Sequence, residues 1–337
     1  MSIQQEIAKR LEVSTSTVSR ALKDNPRISQ ELKNEIFRLA DEMGYTEKSH
    51  LKKLKVTPVV HVFIQQEEGT NKLEDLLLRH VVDAAKESRM NFSVYKYRNA
   101  ASLELQYKRF LQNYSTQKTK LQGAMILKSM SEDYAIKIAK ALPTISINHR
   151  LKDESITTVR GSEEYDVEYM LNQLWDNGHR EIAFVASDTL HPLGNSRFAG
   201  YLNFLKNKKS PFQDDKVINV MRKELTGDSL AKALLVQIKQ QGITAMAFTT
   251  GIQAFRFLSE LKNDSMLLPD KFSIVAYDHL NENDEYNLSG IQPDYALIME
   301  SAFEILNVRF NRKSLKFHNV SVPGEFMLGE TVHSLKS

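Results

Sequence analysis

Residues 7–29 read IAKRLEVSTSTVSRALKDNPRIS, and the five hydroxyl residues between 14 and 19 decide how the chain is understood. Serine and threonine compete with the backbone for hydrogen bonds and are only moderate helix formers. A cluster of them at a helix start therefore needs a capping role, or a partner that uses hydroxyls. Working outward, Ile3, Ile7, Ala8 and Leu11 share one face at helical spacing. Val13 precedes Ser14, a good N-cap, and Val18, Ala21 and Leu22 make the inner face of a second helix. Asn25-Pro26 ends that helix, because the residue before a proline is pushed out of the helical region. Ser29 caps a third helix with the stripe Leu32, Ile36, Leu39, Ala40 and Met43, closed by Gly44. This pattern fits a helix–turn–helix whose second helix shows Thr15, Ser16, Ser19 and Arg20 to a major groove. It also fits a three-helix protein-binding module with a solvated polar face.

Charge separates these regions. Residues 1–55 hold 11 basic and 8 acidic side chains, which accounts for the whole net charge of +3; the rest of the chain carries 34 of each. One small module thus has the electrostatic footprint of a polyanion binder. The 337 residues are long enough for two or three domains, and 42% hydrophobic with 26% charged residues is an ordinary globular composition. The absence of cysteine excludes disulfides, thiolate metal sites and cysteine nucleophiles, and it fits a reducing compartment. No signal-peptide core and no apolar run of membrane-spanning length occurs.

From Val56 onward, β-rich runs alternate with helical segments: VTPVVHVFI, KLEDLLLRHVVDAAKESRM, FSVYKY, GAMILK, SEDYAIKIAKAL, PTISINH, then DVEYMLNQLWDNG, EIAFVA, SRFAGYLNFLKNKK, VINVM, SLAKALLVQIKQQG, TAMAFT and FSIVAY. Alternating βα units predict doubly wound parallel sheets, and their number predicts two α/β lobes with a cleft at the strand carboxyl ends. The sequence has no GxGxxG after the first strand, no GxxxxGK[ST], no GxSxG and no HExxH, so we expect neither an enzyme nor a cofactor or metal site. His149 and His179 lack partners at metal-ligand spacing and read as structural.

The N-terminal run, with MGY after it, strongly resembles the DNA-binding headpiece of LacI/GalR-type bacterial repressors. The resemblance implies a homodimer on a near-palindromic double-stranded operator. It places Thr15, Ser16 and Arg20 at base-reading positions, and Ser14, Thr17, Ser19, Lys23 and Ser29 at positions that contact phosphate or support the helix. In the following TEKSHLKKLK, it makes Leu54 a minor-groove wedge in a hinge that folds on the operator. Glu47 and Leu51 depart from the family's proline and alanine there. A lysine-rich linker adding only nonspecific affinity is the alternative.

The likeness continues, more weakly, through DNGHREIAFV, SRFAGYLNFL, LPDKFSIVAYD and VPGEFMLGET. It implies the fold of periplasmic sugar-binding proteins, in the order helix–turn–helix headpiece 1–46, hinge 47–55 and two-lobed effector-binding, dimerising core 56–337. Asn148, Arg197 and Asp278 then fall at effector positions, although Arg197 also fits an inter-lobe salt bridge and Asp278 a turn or helix cap. Thr250 and Gly251 stand where the family has Asn-Asp, which thins the polar set for a sugar. The expected function is a sugar-controlled, cytoplasmic, nucleoid-associated transcriptional regulator. The alternatives are a DNA-binding regulator with a degenerate cleft, controlled by a protein or by nothing, and a sugar-active or solute-binding protein with an accessory headpiece. The tail VHSLKS has no leucine heptads, so a dimer without a coiled-coil tetramer is expected.

Overall fold

The computed structural model describes residues 3–22, 25, 27–43, 57–66, 71–116, 121–186, 192–220, 230–263, 265–278, 286–311 and 317–336. Lys23, Gly44 and the hinge residues Glu47, Leu51 and Leu54 lie outside them.

Three helices open the chain: α1 (Ile3–Arg10), α2 (Thr15–Leu22) and α3 (Gln30–Glu42). Their inward faces form one small core in which Ile7, Val18, Ala21, Ile36 and Ala40 are almost fully buried. Ser14 caps α2 by accepting the Thr17 amide at 3.0 Å, and Ser29 accepts the Leu32 amide at 3.3 Å ahead of α3. Each such cap is worth about 1 kcal/mol.

The remainder folds as two α/β layers. The first lobe takes β1 (Val59–Gln65), α4 (Asn71–Ser88), β2 (Asn91–Tyr97), α5 (Ala100–Thr116), β3 (Gln122–Leu127), α6 (Glu132–Ala141), β4 (Thr144–Ile147) and β5 (Thr157–Gly161). The chain then builds a second lobe from α7 (Glu163–Asp176), β6 (Ile182–Ala186), α8 (Pro192–Asn207), β7 (Val217–Asn219), α9 (Leu230–Gln241), β8 (Ala245–Phe248), α10 (Gly251–Asn263), β9 (Ser273–Tyr277) and β10 (Ser289–Gln292). It returns through α11 (Tyr295–Asn311) to β11 (Asn319–Val322) on the first sheet, and ends with β12 (Glu325–Met327) on the second. The sheet orders are β11-β5-β4-β3-β1-β2 and β12-β10-β9-β8-β6-β7, with every pairing parallel except β10 with β12. The two doubly wound parallel lobes expected from the alternation are therefore present.

Burial on both faces explains the near-continuous apolar strands. In β1, Val60, Val62 and Ile64 pack toward α4 and α11, whereas Phe63 packs on the opposite face with Tyr95 and Phe110. In β6, Ala183 and Val185 face one core, and Ile182 and Phe184 the other.

The Gly178-His179-Arg180 motif fastens the C-terminal tail to the second lobe. His179 is fully buried; its Nε2 donates to the His333 carbonyl at 3.0 Å, and Nδ1 meets the Thr244 hydroxyl at 3.0 Å. Gly178 has φ +99, and a Cβ there would meet Leu335 at 3.2 Å. Thr331 brackets Ile274 by accepting its amide and donating to its carbonyl. The structural reading of His179 holds.

Three crossovers join the lobes: residues 161–163, 292–295 and 322–325. Because both sheets end beside them, the crossovers bring the carboxyl ends of strands from both lobes to one region.

Candidate DNA interface and effector cleft

On α2, Thr15, Ser16 and Arg20 are exposed, Thr17 and Ser19 are half-buried, and Val18 points into the core. Ser14 is the centre of the hydroxyl cluster: its Oγ lies 2.7 Å from Ser16 Oγ and 2.8 Å from Thr17 Oγ1, in addition to the cap bond. Capping therefore accounts for Ser14 and Thr17, while Thr15, Ser19 and Arg20 project from the outer side of the helix. Ser29 is exposed at the start of α3. An exposed guanidinium beside exposed hydroxyls on one short helix can bond base edges and phosphates together.

The three effector candidates lie at strand ends or beside them. Asn148 follows β4 and Asp278 follows β9, both in the left-handed region, with φ 57 and 62. Strain of this kind in non-glycine residues concentrates at functional sites. Arg197, on α8, is 7% exposed. Its guanidinium lies 4.1 Å from the centre of the Tyr277 ring, Nη1 donates to the Thr249 carbonyl at 2.5 Å, and Nε is buried without a hydrogen-bond partner among the described residues. Among the described residues Arg197 forms no ion pair. Asp278 accepts a hydrogen bond from the Tyr295 hydroxyl at 2.9 Å.

These side chains connect to all three crossovers. At the first, the Gly161 amide donates to Asn148 Oδ1 at 3.3 Å, and Arg160 Nη1 reaches Glu163 at 2.9 Å and Ser196, next to Arg197, at 3.0 Å. At the second, Tyr295 holds Asp278. At the third, the Gly324 amide donates to the buried Asp166 carboxylate at 3.1 Å, and Tyr277, beneath Arg197, donates to the same carboxylate at 3.1 Å. Sequence reading missed Arg160, Glu163, Asp166, Tyr277 and Tyr295. No local signal marks Asp166 as buried, since its partners Tyr277 and Gly324 meet it only through the fold. The first lobe adds a pair of its own: Glu74 is 2% exposed, and Lys128, at the carboxyl end of β3 with φ 67, places Nζ 4.0 Å from it.

Burial sets the electrostatics. It raises the Asp278 carboxyl above the ordinary aspartate range, opposed by Arg197 and the Tyr295 hydrogen bond. Glu163 is raised by burial against Arg160 and Arg197, and Asp166 by burial against the Gly324 amide and Tyr277. Burial also holds Tyr277 and Tyr295 well above 10, so both remain hydroxyl donors at neutral pH. These side chains offer aromatic faces, amide and hydroxyl groups, a cation and carboxylates, a set suited to a polar organic molecule with several hydroxyls.

Buried histidines make a separate, testable contribution. Burial depresses both His61 and His179 below the ordinary 6.5. Between those lowered values and 6.5 the unfolded chain binds more protons than the folded one, so stability is lost as pH falls through about 6.5. The raised carboxylates act in the opposite sense in their own range. We therefore expect the denaturant midpoint of the wild type to fall more between pH 7.5 and 6.0 than that of His61→Gln; equal falls would remove His61 from the account.

Comparison with known proteins now adds the decisive observation. Residues 4–47 match the model of bacterial regulatory proteins of the lacI family, and residues 171–332 match a periplasmic binding protein-like domain. The chain's N-terminal region is that of a lacI-family regulatory protein. Its curated relatives include the HTH-type transcriptional regulator AscG of Escherichia coli strain K12, 23% identical over 282 residues that cover 83% of each chain. The ribose operon repressor of Haemophilus influenzae is 22% identical over the full length of both chains. Among solved structures, the transcriptional regulator CelR–cellobiose complex covers 97% of this chain and 99% of its own, at 17% identity and TM-score 0.65. The lac repressor dimer bound to operator and the anti-inducer ONPF covers 97% and 98%, at 16% identity and TM-score 0.61. The chain is a DNA-binding transcriptional regulator and not an enzyme. No described helix is long and apolar enough to cross a membrane.

Proposed function

We propose that the chain is a homodimeric, cytoplasmic repressor of carbohydrate-utilisation genes. It divides into a headpiece at 1–46, a hinge at 47–55 and an effector-binding, dimerising core at 56–337. Thr15, Ser16 and Arg20 read bases of a near-palindromic operator. Ser14, Thr17, Ser19, Lys23 and Ser29 hold phosphates or the helix itself, and Leu54 wedges the minor groove. A neutral, hydroxyl-rich small molecule of the sugar class binds between the lobes to Asn148, Arg197 and Asp278. The observation that carries this reading is that Asn148 and Asp278 hydrogen-bond to the first and second crossovers, while Arg197 lies over the ring of Tyr277, whose hydroxyl shares the Asp166 carboxylate with the amide of the third. An occupant that rearranges them rearranges the crossovers, and with them the angle between lobes. Binding one closure state better than the other is the only way a ligand can shift the equilibrium, with couplings of about 1–3 kcal/mol.

The curated relatives support the carbohydrate class through a ribose operon repressor and a regulator named MalR. Thr250 and Gly251, in place of Asn-Asp, favour a second reading: a regulator whose cleft takes no sugar and is controlled by a protein.

Selection of bound duplexes from random DNA tests the operator half. The wild type is expected to enrich a near-palindrome, and Arg20→Ala to lose discrimination at one position of each half-site, at a cost of about 1–3 kcal/mol. An unchanged preference in the variant would remove Arg20 from base readout.

A further inference from the structure

Beside the second and third crossovers lies a groove of about 380 Å³. Leu76 and His80 of α4 form one wall, the second crossover with the first turn of α11 forms another, and Pro323, Gly324 and Glu325 form the third. It is separate from the candidate cleft, since neither Asn148, Arg197 nor Asp278 lines it. The volume falls in the range of small-molecule sites. Its composition is informative: Leu76, Pro293, Ala296 and Pro323 give apolar surface, and Gln292 and His80 give hydrogen-bonding groups. Among the described residues the charged lining is acidic alone, Asp294 and Glu325, with no lysine or arginine. The N-terminus of α11 opens here, but Asp294 already covers it by accepting the Leu297 amide at 2.8 Å. An incoming anion would meet two carboxylates with no compensating cation, whereas an ammonium would be attracted to both.

We propose that this groove is a second small-molecule site and that it takes a compact organic amine, with the ammonium on Glu325 and Asp294 and the apolar body against the two prolines and Leu76. Its occupant touches both lobes' connections at once. Tyr295 lines the groove and directs its hydroxyl to Asp278; Gly324 lines it and directs its amide to Asp166. An amine seated there braces α4 against two of the three crossovers, so it restrains lobe movement.

The test uses the full chain and three probes of similar shape: tyramine, neutral 4-ethylphenol and anionic 4-hydroxyphenylacetate. Calorimetry is expected to show saturable tyramine binding at least tenfold tighter than that of either other probe. Glu325→Gln should abolish the advantage of the amine, and Ala296→Leu, which fills the groove, should abolish binding of all three. Hydrogen exchange with tyramine at saturation should slow the amides of 292–296 and 323–327 in the wild type and not in Ala296→Leu. Absence of tyramine binding, equal binding of the three probes, or tyramine binding that survives both substitutions would each overturn the proposal. These outcomes are read on the protein alone, so they stand or fall independently of the operator and its effector.

Discussion

Replacement of Arg197 by methionine is expected to weaken the sugar-class effector by about 10- to 100-fold while leaving operator affinity in the absence of effector unchanged. The magnitude follows from the loss of hydrogen bonds to a charged group, worth roughly 1.5–3 kcal/mol. Methionine is chosen because it retains an unbranched, polarisable side chain over the Tyr277 ring, where the guanidinium now lies at 4.1 Å. The loss is then confined to the donor group, including the buried Nε that has no partner among the described residues. Calorimetric titration of the effector, with the thermal midpoint followed in parallel, checks the result. Unchanged effector affinity in a folded variant would leave Arg197 as a packing residue.

The second large effect belongs to Gly200, on the same helix face as Arg197 and one turn beyond it. A Cβ at this position would stand 2.5 Å from the Glu164 carbonyl oxygen and 3.0 Å from Val167 Cβ. The obstacle is the backbone of α7, which no side-chain rotation relieves. Gly200→Val is therefore expected to cost about 3 kcal/mol through overpacking, and to lower the thermal midpoint by several degrees. Asn203→Val, exposed on the same helix, supplies the control for the poor helix propensity of valine. Separating α7 from α8 also moves Arg197 away from Thr249 and Tyr277, so effector affinity should fall together with stability. A Gly200 variant as stable as the control would contradict the close packing of these helices.

The sequence was most legible where a single local rule sufficed. Ser14 and Ser29 announced helix starts, and the apolar alternation announced β1, β3, β6 and β9. The segment TTVRG of β5 was not legible, because its burial comes from pairing between β4 and β11 and from a side-chain bond of Thr157 to the Phe317 carbonyl. The short strands β10, β11 and β12 were missed as well: each has only three or four residues, and β11 finds its partner β5 far back in the sequence. In the candidate site, motif positions singled out Asn148, Arg197 and Asp278. The residues that tie them to the crossovers were hidden, since Asp166 and Tyr277 are 111 residues apart and meet only through the fold. A carboxylate on a helix usually signals a solvated face; burying Asp166 requires the Gly324 amide and the Tyr277 hydroxyl to replace water.

The measurement closest to the central claim is fluorescence anisotropy of the full chain on a selected operator and on a scrambled duplex, at one salt concentration, against a panel of neutral sugars. We expect tight binding to the operator over the scrambled duplex, and a change of operator affinity by about 5- to 150-fold with one sugar, the range of ordinary allosteric couplings. Arg197→Met should bind the operator equally well and lose that response. Equal binding to both duplexes would contradict the operator reading, and specific binding that no sugar alters would contradict the role assigned to Asn148, Arg197 and Asp278.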